Sequence, residues 1–101
     1  MIKSITIKGQ KYKIIFSDLP SGTAGECDKA KKVITIDKSM EGHRDVYSTL
    51  LHEMIHAVFN EVSLDQALSD EMEELIADNI ANAVYEEFFS KKGVKKWSTD
   101  E

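Results

Sequence analysis

The chain has 101 residues, 42 % hydrophobic and 31 % charged, a balance that fits one soluble globular domain with a modest core rather than a disordered chain. Thirteen basic against 18 acidic residues give a net charge of −5, which argues against a nucleic-acid partner, since phosphate binding calls for a basic surplus. No apolar run approaches the ~20 residues of a membrane span. The N-terminus alternates in polarity, so no signal peptide is expected, and the lone Cys27 rules out an internal disulfide; both point to the cytoplasm.

Read from the N-terminus, residues 2–8 and 11–16 have the period of two that marks strands, with Ile5, Ile7, Tyr12, Ile14 and Phe16 as the apolar partners. Gly9-Gln10 suits a two-residue hairpin turn. Ser17 to Gly22 is dense in turn formers and holds the single proline, Pro20, so it reads as a loop. A second pair of strands is expected near 23–27 and 32–37, joined by the polar turn Asp28 to Lys31. Ile34 and Ile36 then face the core, and Cys27 sits in a strand as a small apolar residue, with no patterned neighbours that would make it a metal ligand.

After Asp37 the period changes to 3.6. Val46, Leu50, Leu51, Met54, Ile55, Val58, Phe59 and Val62 predict a helix over about 43–61. Ser63 and Gln66 have the spacing of a capping box for a short turn. Ser69 followed by Asp70 and Glu71 reads as an N-cap and first turn of a second helix, expected over about 70–91, with Met72, Leu75, Ile76, Ile80, Ala83, Val84 and Phe88 available to the core. Gly93 suits its C-cap, and Lys91, Lys92, Lys95 and Lys96 read as a solvated helix end. The fold class is therefore α+β, a single domain over 1–101: a small, mostly antiparallel sheet of three to four strands, then two long helices.

The first helix carries His52-Glu53-Met54-Ile55-His56, an HExxH pattern. Residues four apart on a helix share a face, so both imidazoles can converge on one metal ion. Glu53 stands one step round from His52, near the metal, where it can take a proton from water. Two histidines leave a catalytic site one protein ligand short. The second helix is the element long enough to pack beside the first, and it offers Glu71, Glu73 and Glu74. Glu74 is favoured because Asp78 lies one turn further along the same face, placed to fix a ligand histidine through its other ring nitrogen. Ala77 and Ala81 keep that face narrow enough for two helices to approach closely.

The set His52, Glu53, His56, Glu74 and Asp78 resembles the gluzincin metallopeptidases, of which thermolysin is the best known. The run Glu74 to Ala81 is similar to the second helix of the ImmA/IrrE-like peptidases of phages and mobile elements, and the resemblance covers roughly residues 33–88. It implies a zincin-like fold and a zinc-dependent peptidase acting on protein or peptide substrates. His52, His56 and Glu74 would be zinc ligands, Glu53 the general base and Asp78 the support for a histidine. It also implies that the strand 33–37 borders the cleft as a sheet edge open to an extended peptide. The tyrosine and histidine that large gluzincins aim at the oxyanion have no positional match here; His43, Tyr47 and Tyr85 are the candidates. That gap supports a second reading, a zinc-stabilised module that binds a protein partner without cutting it.

Overall fold

The computed structural model describes residues 2–87. The far end of the second helix, the Gly93 cap, the lysine cluster at 91–96 and the aromatics Phe88, Phe89 and Trp97 lie outside the described residues. Within them the chain runs β1 (Ser4–Ile7), β2 (Gln10–Ser17), β3 (Gly25–Asp28), β4 (Val33–Asp37), a short 3₁₀ turn (Lys38–Met40), α1 (Val46–Glu61), a second 3₁₀ turn (Leu64–Gln66) and α2 (Asp70–Val84). The class is α+β, as expected from the switch of period after Asp37.

The four strands form one mixed sheet in the order β1-β2-β4-β3. β1 and β2 make an antiparallel hairpin in which Ile5 pairs with Tyr12 and Ile7 with Gln10. The turn is therefore Lys8-Gly9, one residue earlier than Gly9-Gln10, and both residues have positive φ (48° and 79°). Two positive φ angles match the right-handed twist of the strands they join, and this recovers in turn geometry what Lys8 loses in intrinsic preference. β4 inserts between β2 and β3, parallel to the former and antiparallel to the latter. Its run of β-branched residues explains that place: Ile34, Thr35 and Ile36 are all buried, as an interior strand requires. The strand 33–37 is thus paired on both sides, and the expectation of a free edge there is corrected. The edge belongs to β3.

α1 lies across one face of the sheet. Tyr12, Ile14, Ile34 and Ile36 from the strands meet Val46, Tyr47, Leu50 and Ala57 of the helix in a single core. The helix starts at Val46 rather than near 43, because Met40 to Asp45 form tight turns: the His43 N–H donates to the Met40 carbonyl and the Asp45 N–H to His43 Nδ1. The far end of α1 is fixed to β2. The buried Tyr12 hydroxyl donates to Glu61 at 2.5 Å and accepts from Asn60 at 2.9 Å, while Lys32 pairs with Glu61 at 2.7 Å. Ser63 then takes a left-handed conformation and ends the helix, so it makes no capping box with Gln66.

α2 opens as expected, with the Ser69 hydroxyl accepting from the Met72 N–H at 3.1 Å. Its buried face is different from the apolar set read in the sequence. The stripe that meets the rest of the domain is Glu73, Ala77 and Ala81, one every four residues, whereas Met72, Leu75 and Ile80 are exposed. Small side chains at the contact allow close helix approach, and the larger apolar residues are left on the outer side.

This division predicts a contrast in stability. Leu50, fully buried, should cost about 2–5 kcal/mol when replaced by alanine. Leu75, 57 % exposed, should cost less than about 0.5 kcal/mol. Urea unfolding followed by circular dichroism measures both.

Candidate metal centre

α1 projects His52 and His56 toward α2, and α2 answers with three carboxylates. The two Nε2 atoms stand 3.1 Å apart. Glu74 reaches both, with Oε1 2.7 Å from His56 Nε2 and Oε2 3.1 Å from His52 Nε2. Each Nδ1 faces a different acid: His52 Nδ1 lies 2.8 Å from Asp78 and His56 Nδ1 2.6 Å from Glu73. A carboxylate accepts hydrogen bonds, so Asp78 and Glu73 each favour the tautomer with the proton on Nδ1, in which the Nε2 atom presents a lone pair.

This arrangement tests whether a cation fits. In that tautomer two Nε2 lone pairs and the Glu74 carboxylate converge with no donor among them, a set that a positive ion relieves. One ligand atom from each of His52, His56 and Glu74 lies within 4.8 Å of the others, so the group could hold a metal ion. Ligands at ~2.0–2.1 Å in a tetrahedron are separated by roughly 3.3 Å, close to the spacing seen here. Of the three glutamates left open by the sequence, Glu74 is the one that meets both Nε2 atoms. Glu73 supports His56 from behind, and Glu71, in the first turn, is not part of the group.

The pair forms part of the wall of a cleft of about 760 Å³. One side is α2; the other is β3 with the loop before it, residues 22–27. Asp37 holds that loop from below: its carboxylate accepts the Leu19 N–H at 2.8 Å, and its own N–H donates to the Ala24 carbonyl at 2.8 Å.

Glu53 sits buried where β3 crosses α1. A Cβ on Gly25 would stand 3.1 Å from Glu53 Cγ and 3.0 Å from Thr49 Cγ2, so a bare glycine is what lets the strand pass over this carboxylate. Burial pushes the Glu53 pKa up to about 7; His52 opposes the rise, and Glu74, Glu26 and Asp78 add to it. Cys27, half-buried in β3, is driven to about 12 by burial and by Glu53, so it remains a thiol outside the ligand group.

No family model, curated protein or solved structure matches the chain.

His43, Tyr47 and Tyr85 do not line the cleft. They border a separate cavity of about 440 Å³ with Phe16 and Arg44, where the Tyr85 hydroxyl donates to the Arg44 carbonyl at 2.9 Å. Glu73 is among the candidate ligands of the sequence reading, and its role behind His56, with the contributions of Gly25 and Lys29, comes from the structure. Glu73 heads the alanine stripe, a polar residue at a core position of α2, and that was a usable signal. Gly25 inside a strand was another, since glycine there often marks close backbone approach. Lys29, in the β3–β4 turn, carried none.

A raised carboxyl pKa in the folded state means that folding retains a proton that the unfolded chain releases. The metal-free protein should therefore lose stability as pH rises from the ordinary glutamate range to about 7, by on the order of 1–3 kcal/mol, and the loss is complete above that. Glu53→Gln removes this contribution. Urea midpoints in chelator at pH 5 and pH 8 should show the variant gaining on wild type at the higher pH.

Proposed function

We propose that this chain is a zinc-dependent peptidase of zincin-like, gluzincin type, similar in plan to the ImmA/IrrE-like enzymes, with His52, His56 and Glu74 as metal ligands. The observation that carries the reading is the convergence of His52 Nε2, His56 Nε2 and Glu74 with each Nδ1 locked by its own carboxylate, next to a buried glutamate. Two nitrogens and one oxygen are the donor set of hydrolytic zinc sites with an open fourth position. Zinc bound there would supply Lewis acidity, polarising a substrate carbonyl and lowering the pKa of water toward ~7.

The rest of the chemistry belongs to the protein. Asp78 and Glu73 fix the ring planes and the tautomer, so that both Nε2 atoms are free to ligate. Glu53, raised toward neutrality by its burial, takes a proton from the attacking water on its carboxylate and returns it to the departing amine nitrogen. β3, the outer strand beside the cleft, offers its free edge to an extended peptide, which places a scissile bond over Glu53. No helix among the described residues is long and apolar enough to cross a membrane. The cytoplasm, where Cys27 would stay reduced, is the setting we propose.

A second reading, a zinc-stabilised interaction module, draws on the position of His43, Tyr47 and Tyr85 away from the cleft. The two separate on one set of variants. Wild type should purify with one zinc per chain, and Glu74→Ala should lose it. Glu53→Gln should keep zinc while cleavage of an unfolded protein substrate falls by about 10²–10⁴-fold. Metal analysis and a gel-based cleavage assay measure these. Zinc without cleavage in wild type would favour the module, and no zinc would remove both.

A further inference from the structure

The β3–β4 turn, residues 29–32, is tightly specified. Asp28 accepts the Lys31 N–H at 2.9 Å, and Lys32 takes a left-handed conformation at φ 57°. A turn fixed in this way sends its two end lysines in set directions. Lys32 goes to Glu61 at the end of α1. Lys29 goes to the start of α2 and the turn before it, where its ammonium lies 3.1 Å from Glu73 and 3.4 Å from Asp65 of the second 3₁₀ turn. Among the described residues that line the cleft, Lys29 is the one with a cationic side chain.

Glu73 is the most enclosed acid of α2, its side chain 6 % exposed. A carboxylate removed from water needs a counter-charge, and a hydrogen bond from a neutral imidazole supplies only part of one. Oε1 of Glu73 receives both His56 Nδ1 and Lys29 Nζ, so one oxygen joins the lysine to the histidine. The acid cannot swing away from His56 without leaving Lys29.

We propose that Lys29 is a positioning residue for the metal centre: it compensates and orients Glu73, and through Glu73 it aims His56 Nε2 at the ion. This rests on the zinc reading above. Lys29 touches no ligand atom itself. It makes the β3–β4 turn, rather than the two helices alone, part of what sets metal affinity. Asp65 ties the same lysine to the second 3₁₀ turn but does not reach the histidine, so the two contacts of Lys29 have separable roles.

The test is zinc affinity by competition with a chromophoric chelator, alongside the melting temperature of each metal-free protein. Lys29→Met should weaken zinc binding by about 10–100-fold, the usual cost of losing a group that orients a ligand. Lys29→Arg, which keeps the charge, should recover most of that loss, and Asp65→Asn should stay within about threefold of wild type. Cobalt-loaded Lys29→Met should also show a shifted visible spectrum, which loss of a structural tether would not produce. Wild-type affinity in Lys29→Met would overturn the inference while leaving the zinc site standing. Equal losses in Lys29→Met and Asp65→Asn, tracking lower metal-free melting, would overturn it too by making Lys29 a staple. Should wild type bind no zinc, this inference and the reading beneath it fall together.

Discussion

Ala77 and Ala81 are almost wholly enclosed where α2 meets α1, and the closeness they allow governs the rest of the cleft. With larger residues there, the axes would separate, and the carboxylates of Glu73, Glu74 and Asp78 would no longer span both imidazoles at hydrogen-bonding distance. The same approach sets the exposure of the outer side. α2 spends its buried stripe on two methyl groups and one acid, so Met72, Leu75 and Ile80 remain toward solvent. The sheet and α1 supply the greater part of the core, and α2 is fitted against them to complete a site.

That site concentrates like charge. Glu53, Glu73, Glu74 and Asp78 surround two histidines, with Lys29 as their nearest cation among the residues of the cleft. Such a grouping costs stability in a metal-free chain and repays it when a cation binds, which couples metal affinity to folding. The acids are differentiated by their surroundings. Glu74 and Asp78 are exposed and keep contact with water. Burial works against the Glu73 charge, but hydrogen bonds from His56 and Lys29 more than offset it and hold its pKa below the ordinary range. For Glu53 burial outweighs the lowering by His52, and its pKa moves the other way. One helix pair therefore holds carboxylates in three different electrostatic settings.

Much of this was legible in the residues because the signals were local. The HExxH spacing, the Glu74–Asp78 step and the Ser69 cap are each set within one or two helical turns, and the structure places Glu74 and Asp78 against the histidines as that spacing implies. What depended on pairing between distant segments was harder to read. The insertion of β4 between β2 and β3 follows from strand order, which periodicity does not encode, so the edge beside the cleft was assigned to the wrong strand. Met72, Leu75 and Ile80 are exposed rather than in the core because helix periodicity reports which residues share a face, not which face a neighbour will cover. Lys29 meets Glu73 across 44 positions of sequence and has no local mark at all.

The measurement that bears most directly on the account is X-ray absorption at the zinc edge of protein loaded with one equivalent of zinc. The account predicts two imidazole nitrogens and light oxygen ligands at ~2.0–2.1 Å, with no sulfur in the shell. A sulfur at ~2.3 Å would place Cys27 on the metal, and a shell without imidazole would mean that His52 and His56 do not bind it; either result would contradict the centre described here.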